Sequence, residues 1–169
     1  GAIGPVTTMD RVLASGAIGV MTYLFIGFDD PLREANEMRR NYEVNELCQK
    51  YGLIHIIEPR VVKSKETNED GTMKLDLMKV HTRMAAELGA DFIKVKYPDT
   101  PERLKELQDI SPAPLLVAGG SKIADDAADK MAEASVTANT GGIVFGRNVY
   151  QSDDPKAALE RFRRIVHQK

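Results

Sequence analysis

The sequence predicts an α/β fold in which parallel strands alternate with helices. Short apolar runs and amphipathic helical stretches follow one another along the whole chain of 169 residues, an order typical of parallel sheets with helical crossovers. The apolar runs are continuous, as expected for strands that are buried on both faces. Five such runs are present, which fits either an open doubly wound sheet or part of a closed barrel.

The first half of the chain predicts a short helix, a strand, a long helix and a second strand. The short helix covers 9–15 and the first strand covers 18–25. The long helix starts at Asp30-Pro31, because proline is favoured at the first helical position, and the second strand covers 53–58. Helical spacing predicts that the long helix buries its apolar residues, which are Leu32, Ala35, Met38, Tyr42 and Leu47.

The second half of the chain continues the alternation after a polar loop over 63–71. The predicted helices cover 75–88, 100–107, 123–134 and a last stretch from 154–155 onward, and the predicted strands cover 91–96, 114–118 and 142–146. The spacing of the last helix predicts an inner face made of Leu159, Phe162, Ile165 and Val166.

Composition narrows the class of protein and its compartment. The formal net charge of −2 offers no basic patch for nucleic acid. A single cysteine, Cys48, excludes an internal disulfide and a cysteine zinc cluster, and it fits a reducing compartment. No apolar run approaches the ~20 residues of a membrane span, and no signal-peptide pattern is present. We therefore expect a cytoplasmic protein that binds neither nucleic acid nor membrane.

Residues able to carry chemistry lie where the predicted strands end. In parallel α/β folds the carboxyl ends of the strands meet at one edge, which holds the active site. One strand ends in Glu58 and another in Lys94-Val95-Lys96. Burial in a strand favours the neutral amine of a lysine, which can attack a carbonyl. Because Lys94 and Lys96 point to the same side, either lysine could be the nucleophile and the other a charged neighbour.

Glu58 and the two glycine-rich strand ends complete this set. Glu58 could move a proton to or from a substrate hydroxyl, or it could form a salt bridge with Arg60 or a lysine. Gly119-Gly120-Ser121 and Gly146-Arg147 each follow a strand, and glycine lets the backbone approach a phosphate closely. Two neighbouring loops of this kind are typical of the phosphate site of a barrel. Ser121 has no histidine base nearby in the sequence, and no His/Asp/Glu spacing indicates a metal site.

Three segments resemble the class I aldolases of the archaeal fructose-bisphosphate and deoxyribose-phosphate aldolase group. They are 89–97, around Lys94, then 117–122, around Gly119-Gly120, and 146–151, which begins Gly146-Arg147-Asn148. The same group includes tagatose-bisphosphate aldolases, aminodideoxyheptulosonate synthase and a thiolase of autoinducer-2 breakdown. The resemblance implies a (β/α)8 TIM barrel, of which residues 1–169 would form a single C-terminal portion holding the fourth to eighth strands.

The resemblance also implies roles for particular residues. Lys94, not Lys96, would be the Schiff-base lysine, and Glu58 would stand where many archaeal-type members have a tyrosine. Gly119, Gly120, Ser121, Gly146 and Arg147 would bind the substrate phosphate. We expect cleavage of a phosphorylated ketose such as fructose 1,6-bisphosphate, with no metal or organic cofactor, in a homo-oligomer.

Two alternatives to this aldolase reaction stay open. One is a related lyase or acyltransferase that uses the same lysine. The other is a truncated relative that binds phosphosugar or assists assembly without turnover. The first three strands of the family's barrel, including an aspartate on the first strand, have no counterpart in this sequence. Either a longer protein holds them or another chain covers the gap.

Overall fold

A computed structural model describes residues 7–62 and 66–167 of the chain. Its five strands are β1 (Gly19–Ile26), β2 (Ile54–Val61), β3 (Phe92–Lys96), β4 (Leu115–Ala118) and β5 (Gly142–Val144). Its helices are α1 (Met9–Ala14), α2 (Pro31–Tyr51), α3 (Leu75–Glu87), α4 (Pro101–Ile110), α5 (Asp125–Thr137), α6 (Arg147–Tyr150) and α7 (Pro155–His167).

The order of the strands decides between the two folds that the sequence pattern left open. All neighbours in the sheet are parallel, and the spatial order β1-β2-β3-β4-β5 is the order along the chain. A doubly wound sheet reverses its direction of growth at a switch point, whereas a barrel adds each strand on the same side. The predicted α/β class and the predicted part of a barrel are therefore confirmed.

The two faces of this sheet have different surroundings. Right-handed crossovers that always advance in one direction place the crossover helices α2 to α5 on the same face, and the strand residues on that face are fully buried: Leu24, Ile57, Ile93, Leu115 and Val117. Burial of such a side chain stabilises the fold by roughly 1.5–3 kcal/mol. On the opposite face Met21 is 46% exposed and Tyr23 is 40% exposed. The helix-covered face thus holds the hydrophobic core, and the opposite face is free for polar side chains.

Helix α2 buries a different face from the one predicted. Its buried residues are Glu37, Asn41, Asn45 and Cys48, while four of its predicted core residues, Leu32, Ala35, Tyr42 and Leu47, are exposed. The polar face is tolerated because its groups are hydrogen-bonded to β1. The Asn41 amide donates to the Tyr23 carbonyl over 3.1 Å, and Glu37 Oε2 accepts from the Phe25 amide over 3.1 Å.

Helix α7 also differs from its predicted inner face at one position. Leu159 is exposed, and the fully buried residues of α7 are Ala158 and Phe162. Ala158 packs against the alanines Ala128 and Ala132 of α5, where small side chains let two helices approach closely. The predicted burial of Phe162 is confirmed.

Strand β2 continues past its predicted end at Glu58, through Pro59 to Val61. Proline is tolerated there because only Ile56 and Ile57 of β2 pair with β3, so the segment after them pairs with β1 alone. The predicted loop over 63–71 lies partly outside the described residues. None of the helices in the described ranges is both long and apolar enough to cross a membrane.

Candidate active site

Lys94 and Glu58 meet on the face of the sheet that carries no helix. Side chains alternate along a strand, and the neighbours Ile57 and Ile93 are fully buried on the helix-covered face. Glu58 and Lys94 therefore point to the opposite face, three residues before the end of β2 and two residues before the end of β3. The sequence predicted both residues at strand ends; the structure places them within the strands and brings the two side chains into contact.

The contact between them is an ion pair in a largely enclosed place. Lys94 Nζ lies 2.8 Å from Glu58 Oε2, and the exposed fractions of the two side chains are 16% and 7%. No hydrogen-bond donor among the described residues is aligned on Glu58 Oε2, so the pair is held by charge and proximity. The sulfur of Met21 lies 3.9 Å from the ammonium. A proton on Lys94 thus has a carboxylate acceptor within direct reach.

Glu58 has a second cation beside it. Arg60 Nη1 lies 3.4 Å from Glu58 Oε1, and the Arg60 side chain is 36% exposed. The salt bridges considered from the sequence, to Arg60 or to a lysine, are therefore both present in the ligand-free chain. They do not exclude a catalytic role, because a carboxylate that accepts protons is commonly held by charged neighbours.

Lys96 occupies a different environment from Lys94. Its ammonium pairs with Glu66, in the loop after β2, and its side chain is 39% exposed. The carboxylate partner of each lysine thus distinguishes them. Lys94 lies with the buried Glu58, whereas Lys96 lies with a half-buried loop residue.

The predicted phosphate loops follow β4 and β5 and face each other. Arg147 Nη1 donates to the Ser121 hydroxyl over 3.2 Å, which joins the two loops at the surface. A side chain at Gly119 would lie only 2.7 Å from the Phe145 ring, so only glycine fits there. Gly120 is exposed, and its φ of +64° lies in the left-handed region that favours glycine.

Asn148 holds these loops together, although its sequence position predicted no role for it. It is 1% exposed. Its side-chain amide donates to the Gly119 carbonyl over 2.8 Å, and its oxygen accepts from the Ile123 amide over 3.0 Å. The only signal in the sequence was its place directly after Gly146-Arg147.

The helices α5 and α6 begin differently after the two glycine loops. Helix α5 begins four residues after Ser121, and its first turn carries Asp125 and Asp126, which repel a phosphate. Helix α6 follows Gly146 directly and begins with Arg147. A short extra helix after the last strands is typical of barrel phosphate sites.

The register of the sheet relates the lysine to these loops. Lys96, at the end of β3, pairs with Ala118, at the end of β4, which in turn pairs with Val144 of β5. Adjacent strands lie about 4.8 Å apart, so the two loops begin about 5–10 Å across the sheet from β3. That span suits a substrate with a phosphate a few bonds from its carbonyl.

The histidines of the described core belong to the opposite, helix-covered side. His55 is fully buried, and Nε2 lies 2.9 Å from the Thr22 hydroxyl. Burial lowers the pKa of His55 to about 4, against a smaller raising effect of Asp91. Burial also lowers the pKa of His81 in α3. Both side chains are neutral core residues at neutral pH.

Comparison with known proteins identifies a family. The model of the DeoC/LacD family aldolases matches residues 3–152. An uncharacterized aldolase of Saccharolobus solfataricus is 28% identical over 162 residues, 95% of this chain and 59% of the relative. The 2-amino-3,7-dideoxy-D-threo-hept-6-ulosonate synthase 1 of Archaeoglobus fulgidus is 30% identical over 164 residues, 96% of this chain and 58% of that enzyme.

A solved structure of a Schiff-base-forming fructose-1,6-bisphosphate aldolase superposes with a TM-score of 0.84 at 25% identity. The match covers 96% of this chain and 63% of that one. The chain thus spans about three-fifths of the length of the relatives it matches.

Proposed function

Since this chain belongs to the DeoC/LacD family of aldolases, we propose that it forms a Schiff base at Lys94 in the cleavage of a phosphorylated ketose. The observation that carries the proposal is the ion pair of Lys94 with the 7% exposed Glu58, at the edge of the sheet where the glycine loops begin. A nucleophile, a proton acceptor and a phosphate cradle are the parts that this reaction needs.

The reaction begins with proton transfer and addition. Glu58 takes a proton from the Lys94 ammonium, and the neutral amine adds to the ketose carbonyl. Glu58 returns that proton to the carbinolamine hydroxyl, which leaves as water and gives an iminium, with Glu58 again a carboxylate. The iminium withdraws electrons from the bond between the α- and β-carbons. The Glu58 carboxylate, with Oε2 2.8 Å from Lys94 Nζ, is close enough to act on both the amine and the substrate.

Cleavage uses the same carboxylate. Glu58 accepts the proton of the hydroxyl on the β-carbon, the bond between the α- and β-carbons breaks, and an aldehyde leaves. The electron pair of that bond remains on the lysine-bound fragment as an enamine. A proton returns to its carbon and water hydrolyses the resulting iminium, which regenerates Lys94.

The loops after β4 and β5 are proposed to hold the phosphate of the fragment that stays on Lys94. Gly120 and Gly146 present backbone amides, Arg147 presents a guanidinium suited to phosphate oxygens, and the Ser121 hydroxyl lies 3.2 Å from Arg147. The Gly119 amide already donates to the Val144 carbonyl over 3.2 Å, so Gly119 contributes its lack of a side chain rather than its N–H. We assign fructose 1,6-bisphosphate as the substrate, with dihydroxyacetone phosphate and glyceraldehyde 3-phosphate as products. The proposed enzyme is a carbon–carbon lyase that releases an aldehyde. This reaction needs no metal or organic cofactor.

The proposal is tested by trapping the adduct. The chain is incubated with dihydroxyacetone phosphate, reduced with sodium borohydride and digested for mass spectrometry. We expect the mass of one reduced triose phosphate on the peptide that holds Lys94 and none on Lys96. An active preparation in which Lys94 stays unmodified would contradict the proposal.

A related Schiff-base reaction is the second candidate, and the 30% identity to the aminodideoxyheptulosonate synthase favours it. Both reactions use Lys94, so trapping alone does not separate them. A panel of aldehyde and keto acceptors, offered with the donor to the enzyme before any reduction, does, because each enzyme class releases a different product. Binding of phosphate esters with no adduct and no product would instead indicate a non-catalytic subunit.

The family's barrel has strands beyond the five described here, and the outer edges of β1 and β5 have no strand partner among the described residues. Unpaired edges favour association with another chain or segment. We therefore propose a homo-oligomeric, cytoplasmic protein. Chromatography with light scattering, compared with the mass of one chain of 18.7 kDa, tests the assembly.

A further inference from the structure

We infer that Arg60 controls the charge of the Lys94–Glu58 pair and thereby sets the pH range in which Lys94 reacts. The inference rests on the proposed function, since it concerns the same lysine. Arg60 touches no reacting atom, so it is a positioning residue that acts through Glu58 rather than a catalytic residue.

The geometry divides the two oxygens of Glu58 between two cations. Oε2 faces Lys94 Nζ at 2.8 Å and Oε1 faces Arg60 Nη1 at 3.4 Å. Among the described residues Glu58 is the ion-pair partner of Arg60, so the guanidinium is not shared with another carboxylate. Arg60 and Lys94 therefore compete for one carboxylate that is only 7% exposed.

The two cations differ in what they do during the reaction. Lys94 must give up its proton before it can attack a carbonyl, whereas a guanidinium keeps its charge at every pH that a protein tolerates. Arg60 weakens the hold of Glu58 on the ammonium, because the same carboxylate is shared with a second positive charge. This effect favours the neutral, reactive amine.

Lys96 does not supply this second positive charge. The sequence indicated that one lysine could be a charged neighbour of the other, but the Lys96 ammonium is paired with Glu66. From the other strands beside the pair, Tyr23 of β1 is the register partner of Glu58, and the apolar Leu116 of β4 is that of Lys94. Of the described charged side chains around Glu58, Arg60 is the permanent one.

The test measures adduct formation against pH in the whole chain. Wild type, Arg60→Gln, Arg60→Met and Arg60→Lys are incubated with dihydroxyacetone phosphate between pH 5.5 and 9. Each aliquot is moved to one common buffer before borohydride reduction, so that pH acts only on adduct formation. Arg83→Gln is the matched control, because Arg83 is exposed on α3 and pairs with Glu87.

We expect the pH of half-maximal adduct rate to rise by on the order of one unit in Arg60→Gln and Arg60→Met, with about a tenfold slower rate on the acid side. Arg60→Lys, which keeps the charge, and Arg83→Gln should follow the wild-type profile. Each rate is divided by the folded fraction measured at the same pH, because stability itself falls below pH 6.5. After this correction a merely structural role of Arg60 would leave the position of the profile unchanged.

Two results would overturn the inference in distinguishable ways. In the first result, wild type forms the adduct, but the pH profiles of both uncharged variants coincide with the wild-type profile or move to lower pH. Arg60 then does not set the charge of the pair. If wild type forms no adduct on Lys94, the proposed function fails and the role of Arg60 fails with it.

Discussion

The two faces of the sheet are held by different interactions, apolar packing on one and ion pairs on the other. On the helix-covered face, Ile57 and Ile93 are fully buried among aliphatic side chains. On the other face, their sequence neighbours Glu58 and Lys94 are held by charge. One residue of spacing along the same strands therefore separates the part that stabilises the fold from the part proposed to carry the reaction. Substitutions on one face should leave the property of the other nearly unchanged.

The largest expected effect concerns the reactive face. Lys94→Met should abolish the borohydride-trapped adduct and lower cleavage of fructose 1,6-bisphosphate by at least roughly a thousandfold, because no other group replaces the nucleophile. The melting temperature should stay close to that of wild type. Lys96→Met is the matched control, with the same chemical change two residues along the same face, and an equal loss of adduct in both variants would contradict the assignment of Lys94.

The next effect concerns the helix-covered face. Ile93→Ala removes a fully buried side chain and should lower the free energy of unfolding by about 2–5 kcal/mol, measured by urea denaturation. Adduct formation per folded molecule should be retained. Val144→Ala, at a 40% exposed position on β5, should change stability by less than about 1 kcal/mol. Comparable losses in the two variants would show that the two faces are not distinct.

The third effect is a pH dependence that belongs to the core. His55 binds its proton with a pKa lowered by burial to about 4, from an ordinary value of 6.5. Between those values the unfolded chain binds more protons than the folded chain, so stability is full above pH 6.5 and falls as the pH drops toward 4. The loss should reach about 3 kcal/mol, and the lowered pKa of His81 adds to it in the same direction.

Urea denaturation at a series of pH values measures this slope. His55→Gln should flatten it, whereas His167→Gln, at an exposed position near the C-terminus, should not. A wild-type chain whose stability is constant between pH 6.5 and 4 would show that the buried histidines do not resist protonation.

The smallest expected effect concerns the predicted phosphate loops after β4 and β5. Asn148→Ala removes the partners of the Gly119 carbonyl and the Ile123 amide, which should cost about 1–3 kcal/mol of stability. It should also weaken the binding of dihydroxyacetone phosphate severalfold, as measured by calorimetry on Lys94→Met to exclude chemistry. Unchanged affinity in Asn148→Ala would show that the loops hold their geometry without this amide.

The sequence predicted the elements better than it predicted their faces. Prolines, glycines and continuous apolar runs are local signals, and they located the strands and placed Glu58 and Lys94 at one edge. The buried face of α2 could not be predicted in this way. Asn41 is buried because Tyr23, 18 residues away, accepts its hydrogen bond, and no periodic pattern within the helix records that partner.

The same limit applies to the candidate site. The pairing of Lys94 with Glu58 and of Lys96 with Glu66 depends on which carboxylate each strand and loop brings close. Side-chain parity makes the two lysines equivalent, so spacing alone could not separate them. The roles of Asn148 and of the single-turn helix α6 likewise follow from contacts between loops that are far apart in the sequence.

Asn148 also affects the conformational entropy that the chain loses when a ligand binds. Its side chain is 1% exposed and bonded at both ends to the loop after β4, so that loop and α6 lose their conformational freedom when the chain folds. A phosphate that arrives later meets backbone amides that are already ordered, and little further freedom is lost on binding. The Asn148 side-chain amide thus restrains the glycine loops without any need to contact the ligand.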